Sequence, residues 1–112
     1  MRFKPKTGIR DLTPQSLLAM QVVERVCMNR LGLGYEPTIT SADDRQHGPR
    51  SKHPSGNAID VRTKDMLRED AAIIFVELQR RLEALGFDVL WEFRGEPQEH
   101  FHIEYDPKAW EA

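Results

Sequence analysis

Two short clusters of histidine and carboxylate are the residues of this sequence best suited to chemistry. The first lies between Ser51 and Asp60 and includes His53, and the second runs from Glu99 to His102 and reads Glu-His-Phe-His. Two imidazoles and one carboxylate are the ligand set of a catalytic zinc site, which keeps its fourth position open for water. The clusters therefore predict one zinc ion per chain, held by His53, Asp60 and His102.

Residues beside these ligands could supply the rest of the chemistry. Glu99 directly precedes the predicted strand of the second cluster, so we expect it to be the general base. His100 shares a strand face with His102 and is expected to donate a hydrogen bond to a developing oxyanion. Two alternatives stay open: Glu92 could be the base instead, and His47 could be a ligand, a substrate contact or, as we prefer, solvent-exposed.

The elements that must position these residues follow from the hydrophobic pattern. Apolar residues at helical spacing predict helices over 14–31 and 66–85, the first capped by Thr13 and the second ended by Gly86. Alternating or β-branched stretches predict four strands, at 37–41, 57–63, 87–91 and 100–105.

Together these elements predict an α+β fold in one catalytic domain over residues 1–112, with 1–12 as an extended N-terminal arm. Two helices are expected to pack on one face of a small, mainly antiparallel sheet. The other face would carry Asp60, His100 and His102.

Composition limits the function classes. The chain has 112 residues with 16 Lys and Arg against 18 Asp and Glu, a formal charge of -2, which disfavours nucleic acid as a partner. No apolar run is long enough for a membrane helix, and no leader for secretion is evident, so we expect the protein to be made in the cytoplasm. We also expect it to be a monomer. The single cysteine, Cys27, is expected to be a buried small hydrophobe.

The motifs carry a resemblance to a known family. Ser51, His53, Gly56, Ala58 and Asp60 form Ser-x-His-x-x-Gly-x-Ala-x-Asp, and Glu-x-x-His follows at residues 99–102. This pair resembles the M15 family of zinc peptidases, which includes D-Ala-D-Ala carboxypeptidases, dipeptidases and phage L-alanyl-D-glutamate endolysins. The similarity also includes the Ser-x-x-x-Arg stretch at residues 41–45 and spans about residues 14–106.

The resemblance implies a hedgehog/DD-peptidase-like fold and a role for each matched residue. It implies zinc ligation by His53, Asp60 and His102, with Glu99 as base and His100 supporting the transition state. It also implies that Arg45 holds a substrate carbonyl or carboxylate and that Ser51 braces the zinc loop.

The implied function is hydrolysis of a bond in the peptidoglycan stem peptide, by D-Ala-D-Ala carboxypeptidase or L-Ala-D-Glu endopeptidase activity. A phage lysis protein would fit, acting at the cell wall or periplasm after release by a holin or another route. The main alternative is a non-catalytic, zinc-containing module that binds a peptide on the same fold. A metal-dependent nuclease is a third reading, which the charge of -2 disfavours.

Overall fold

The computed structural model describes residues 1–5, 7, 12–42 and 57–106. The helices are α1 (Pro14–Leu31) and α2 (Arg68–Glu83). The strands are β1 (Arg2–Phe3), β2 (Thr38–Ser41), β3 (Ala58–Arg62), β4 (Phe87–Glu92) and β5 (His100–Tyr105). The α+β prediction is therefore confirmed, with two helices and a five-stranded mixed sheet in the described part of the chain.

Helix α1 begins and ends where its capping residues predict. The Thr13 side chain accepts a hydrogen bond from the Ser16 backbone N–H at 3.1 Å, and Pro14 occupies the first helical position. Gly32, at a φ of 97°, donates its N–H to the Met28 carbonyl at 2.9 Å and closes the helix.

Helix α2 is shorter than the predicted span of 66–85. Its N-terminal residue is preceded by Leu67, which has no side chain able to cap the helix. The chain before it is instead held in a turn by the Met66 N–H, which donates to the Thr63 carbonyl at 3.0 Å. Beyond the helix, Gly86 adopts a φ of 95°, which glycine tolerates without strain, and the chain enters β4.

The sheet has the order β1-β2-β3-β5-β4. All neighbours are antiparallel except β1 and β2, which pair in parallel. Strand β1 falls within the segment predicted to be an extended arm, and its pairing is held by Arg2 N–H to Pro37 O at 2.8 Å and Lys4 N–H to Ile39 O at 2.7 Å. Two residues are too few for a periodic signal, so the sequence does not predict this strand.

The helices cover one face of the sheet, and the core lies between the two layers. Phe101 is fully buried, and its ring packs against Phe75 at 5.8 Å and against Trp91 at 5.6 Å between centroids. Each apolar side chain buried in this layer contributes about 1.5–3 kcal/mol. Cys27 is buried there, as predicted, and burial together with Asp65 raises the pKa of its thiol to about 12. No helix among the described residues is both long and apolar enough to span a membrane.

Candidate metal centre

The polar face of the sheet is built by strands β3 and β5. The two strands pair with Asp60 opposite His102 and Arg62 opposite His100. Because side chains alternate between faces along a strand, Asp60, His100 and His102 all point to the face away from the helices. The sheet register thus brings together residues that lie forty positions apart in the sequence.

These three side chains form a group that could hold a metal ion. One ligand atom from each of Asp60, His100 and His102 lies within 4.8 Å of the others. His102 Nδ1 is 2.8 Å from Asp60 Oδ1, and His100 Nε2 is 3.6 Å from the same oxygen. These separations are short enough for one ion to contact all three side chains, so the group could hold a metal ion.

The remaining ring nitrogens are anchored by acceptors outside this group. His100 Nδ1 donates to the Gln98 backbone carbonyl at 2.8 Å, and His102 Nε2 lies 3.0 Å from Glu104 Oε1. A histidine that binds metal through one nitrogen commonly donates the N–H of the other to a carbonyl or carboxylate. The anchors leave His100 Nε2 and His102 Nδ1 facing Asp60.

Without metal, the ring of His102 holds a proton more strongly than a free imidazole does. Burial disfavours the charged form of His102, but its hydrogen bonds to Asp60 and Glu104 and its attraction to Asp60 and Glu92 raise the pKa of the ring to about 9. At neutral pH a metal ion must displace this proton, because only the neutral ring has a lone pair to give.

Glu92 lies on the same face as the metal-capable group. It closes β4 opposite His100, and its Oε1 is 2.9 Å from His100 Nε2. Its side chain is 39% exposed, so this carboxylate meets both the histidine and solvent. The alternative general base considered from the sequence is thus adjacent to the group.

Glu99, the base predicted from the sequence, lies in a different environment. Its buried carboxylate accepts two hydrogen bonds from Arg68, at 2.8 and 2.7 Å, and one from Trp91 Nε1 at 3.0 Å. The Gly95 N–H at 2.8 Å and the Thr63 hydroxyl complete its partners.

These contacts fix the charge of Glu99. Burial opposes ionisation, but the hydrogen bonds, led by those of Arg68, lower the pKa of the carboxyl group to about 2. An acceptor with such a low pKa is a weak base at neutral pH. The role of Glu99 as general base stays a prediction. In the described structure its hydrogen bonds with Arg68 connect the start of α2 to the sheet at β5.

Several predicted residues fall outside the described part of the chain. His53, Arg45, Ser51 and His47 all belong to residues 43–56, so their predicted roles stay predictions. Ser41, the last residue of β2, is paired with Asp60, so the chain leaves the sheet beside this carboxylate just before that segment.

Sequence reasoning assigned no role to two groups that contact the site. Alternation along β5 places Glu104 on the face of His100 and His102, but it does not show that the carboxylate of Glu104 contacts His102. The Gln98 carbonyl is a backbone group in a turn, and no side-chain pattern reports it.

Comparison of the chain with models of known protein families, with curated proteins and with solved structures found no match. The resemblance described above therefore rests on the two motifs and their order in the chain.

Proposed function

We propose that this chain is a zinc peptidase that hydrolyses a peptide bond in the peptidoglycan stem. The observation that carries the proposal is the group of Asp60, His100 and His102, in which each imidazole has one nitrogen anchored and the other facing the carboxylate. The motifs resemble those of the M15 family, and this resemblance implies the hedgehog/DD-peptidase-like fold and the substrate class of the proposal.

Asp60 and His102 are the two ligands on which geometry and motif agree. His53 completes the set in this proposal, and His100 faces the substrate and donates a hydrogen bond from Nε2 to the oxyanion. Both His102 Nδ1, at 2.8 Å, and His100 Nε2, at 3.6 Å, lie close enough to Asp60 to share an ion with it, so this division rests on the motifs. A zinc ion in such a site supplies Lewis-acid activation of water and of the substrate carbonyl at neutral pH.

Glu92 is the general base in this proposal, in place of Glu99. Glu92 faces the metal-capable group and solvent. Both carboxylate oxygens of Glu99, by contrast, accept hydrogen bonds from Arg68. A carboxylate that holds and passes on a proton must reach the reacting atoms and must be able to accept it. Glu92 lies beside the metal-capable group with its side chain open to solvent, and its contact with His100 keeps it in place.

The test is digestion of purified muropeptides by the zinc-loaded chain, with new amines detected by derivatisation and products identified by mass. Release of one free amine per cleaved stem, abolished by His102→Ala, supports the proposal. The product masses distinguish loss of D-alanine from cleavage between L-alanine and D-glutamate. An absence of new amines, in an assay where an authentic wall peptidase releases them, would refute the peptidase proposal.

One observation favours the alternative of a non-catalytic peptide-binding module. The Glu of the Glu-x-x-His motif, Glu99, has a buried carboxylate that is paired with Arg68 and is not free for proton transfer. Such a module would retain zinc and bind muropeptides without products. Binding measured by calorimetry beside the digestion assay distinguishes the two functions.

A further inference from the structure

A cavity of about 250 Å³ opens beside His100 on the polar side of the sheet. Three basic side chains line it: Lys4, Arg62 and Lys64. Arg62 is two residues after Asp60 on β3 and is paired with His100 on β5, so the cavity adjoins the proposed metal centre.

Three separate parts of the backbone bring these cations together. Arg62 ends β3, and Lys64 follows it in the turn that leads to α2. Lys4 is placed by the parallel pairing of β1, because its N–H donates to Ile39 O at 2.7 Å. Within residues 1–5, 7, 12–42 and 57–106, none of the three side chains forms an ion pair with a carboxylate.

Glu99, the one carboxylate among the described residues that line the cavity, does not cancel this charge. Glu99 belongs to the lining, but both of its oxygens are bound by the Arg68 guanidinium, with further donors from Thr63, Trp91 and Gly95. The pair of Glu99 and Arg68 is neutral, so the cavity keeps a positive potential that favours an anion.

An apolar wall lies next to these cations. Phe93 has a φ of 56°, an uncommon left-handed conformation for a residue with a side chain, and the residue is 50% exposed. Its ring centroid is 5.8 Å from that of His100. Backbone strain of this kind persists where the surroundings hold it and is frequent at binding sites. A ligand here would meet positive charge on one side and an aromatic ring on the other.

We propose that this cavity binds the free carboxylate of the residue that follows the scissile bond. The inference rests on the proposed peptidase function. In both candidate bonds the leaving residue, D-alanine or γ-linked D-glutamate, carries a free carboxylate next to the scissile amide. Arg62 and Lys64 bind this group in charge-assisted hydrogen bonds, and Phe93 packs against the rest of the residue.

Leaving-residue probes test this proposal without turnover. D-alanine and D-glutamine, whose γ-amide mimics the γ-linkage of the stem residue, are titrated into the zinc-loaded chain in parallel with their α-amides, D-alaninamide and D-glutaminamide. Backbone amide shifts of Thr40 and Lys64, which line the cavity, report the binding place. We expect each acid to bind about tenfold more tightly than its amide, as hydrogen bonds to charged groups imply. Equal affinity of acid and amide, or shifts that avoid these residues, would overturn the proposal.

A matched pair of variants tests whether the positive charge of Arg62 binds the carboxylate. Arg62→Gln is expected to remove most of the preference for the acid, whereas Arg25→Gln, the same change on the exposed surface of α1, is expected to leave it intact. An unchanged preference in folded Arg62→Gln contradicts the proposal, and so does tighter binding of inorganic phosphate than of either acid. Carboxylate binding in the cavity without cleavage of muropeptides would refute the peptidase function and leave the ligand assignment standing.

Discussion

Glu104 Oε1 lies 3.0 Å from His102 Nε2, and the other nitrogen of that ring, Nδ1, lies 2.8 Å from Asp60 Oδ1. The two contacts orient the imidazole ring and make Nδ1 the nitrogen that faces Asp60. A carboxylate hydrogen-bonded to a ligating histidine also makes that ring a better donor. His102 is therefore oriented so that its Nδ1 could bind a metal ion together with Asp60.

Replacement of Glu104 tests this arrangement. Glu104→Ala is expected to weaken zinc binding by about 10- to 100-fold, because the ring loses its orienting acceptor. Glu104→Gln keeps an acceptor oxygen and should recover part of the affinity. Competition with a chromogenic chelator gives the dissociation constants, and Glu83→Ala, an exposed change on α2, is the control. A zinc affinity indifferent to Glu104→Ala would show that His102 does not depend on this contact.

Substitution of Glu92 is expected to lower activity, whereas substitution of Glu99 is expected to lower stability. Glu92→Gln should retain zinc and stability and lower kcat by about 10²- to 10⁴-fold, since a general base is removed. Glu99→Gln should lower the free energy of unfolding by about 1–3 kcal/mol, because it leaves donors of Thr63, Trp91 and Gly95 poorly satisfied.

Thermal unfolding and muropeptide kinetics measured on both variants separate the two roles. If the Glu99→Gln protein were stable but inactive and the Glu92→Gln protein were active, Glu99 would be the general base. This outcome would also mean that the ion pair between Glu99 and Arg68 opens during turnover.

The third zinc ligand is distinguished by two alanine variants. His53→Ala is expected to lose zinc, whereas His100→Ala should keep zinc and lose about 10²- to 10³-fold in kcat, as for an oxyanion donor. Metal content is measured on both proteins after identical zinc loading and desalting. Loss of zinc from His100→Ala with full retention in His53→Ala would make His100 the ligand, as the group of Asp60, His100 and His102 also permits.

The metal-free protein should lose stability as pH rises. The pKa of His102 is about 9 in the fold, above the ordinary value of 6.5. The protonated ring therefore stabilises the fold fully below pH 6.5, and this contribution, on the order of a few kcal/mol, disappears as pH rises through 9.

Chemical denaturation of chelator-treated protein between pH 6 and pH 9.5 measures this dependence. His102→Gln, which has no ionisable ring, should show a flatter profile. A wild-type profile that rises over this range, with the variant unchanged, would contradict the assigned hydrogen bonds of His102.

The sequence was sufficient for the elements with strong local signals. Thr13-Pro14 and Gly32 predict both ends of α1, and alternation places His100 and His102 on one face of β5. Register was harder, because pairing Asp60 with His102 depends on how β3 and β5 align although these two residues are 42 positions apart in the sequence.

The position of Glu99 shows what a motif does not reveal. Glu99 is three residues before His102, which favours a shared site in the sequence. In the fold, its oxygens are taken by Arg68 from α2 and by Trp91 from β4, partners that no local spacing predicts. Tertiary hydrogen bonds decide which of two nearby glutamates faces the metal-capable group.

The most direct test of the account is the zinc content of the full-length chain by elemental analysis, with His102→Ala and Asp60→Asn measured in parallel. We expect about one zinc per chain in the wild type, as for a site with three protein ligands, and loss of the metal from both variants. A wild-type protein without zinc after zinc is supplied, or a folded His102→Ala that retains it, would contradict the central claim that Asp60 and His102 hold a catalytic metal.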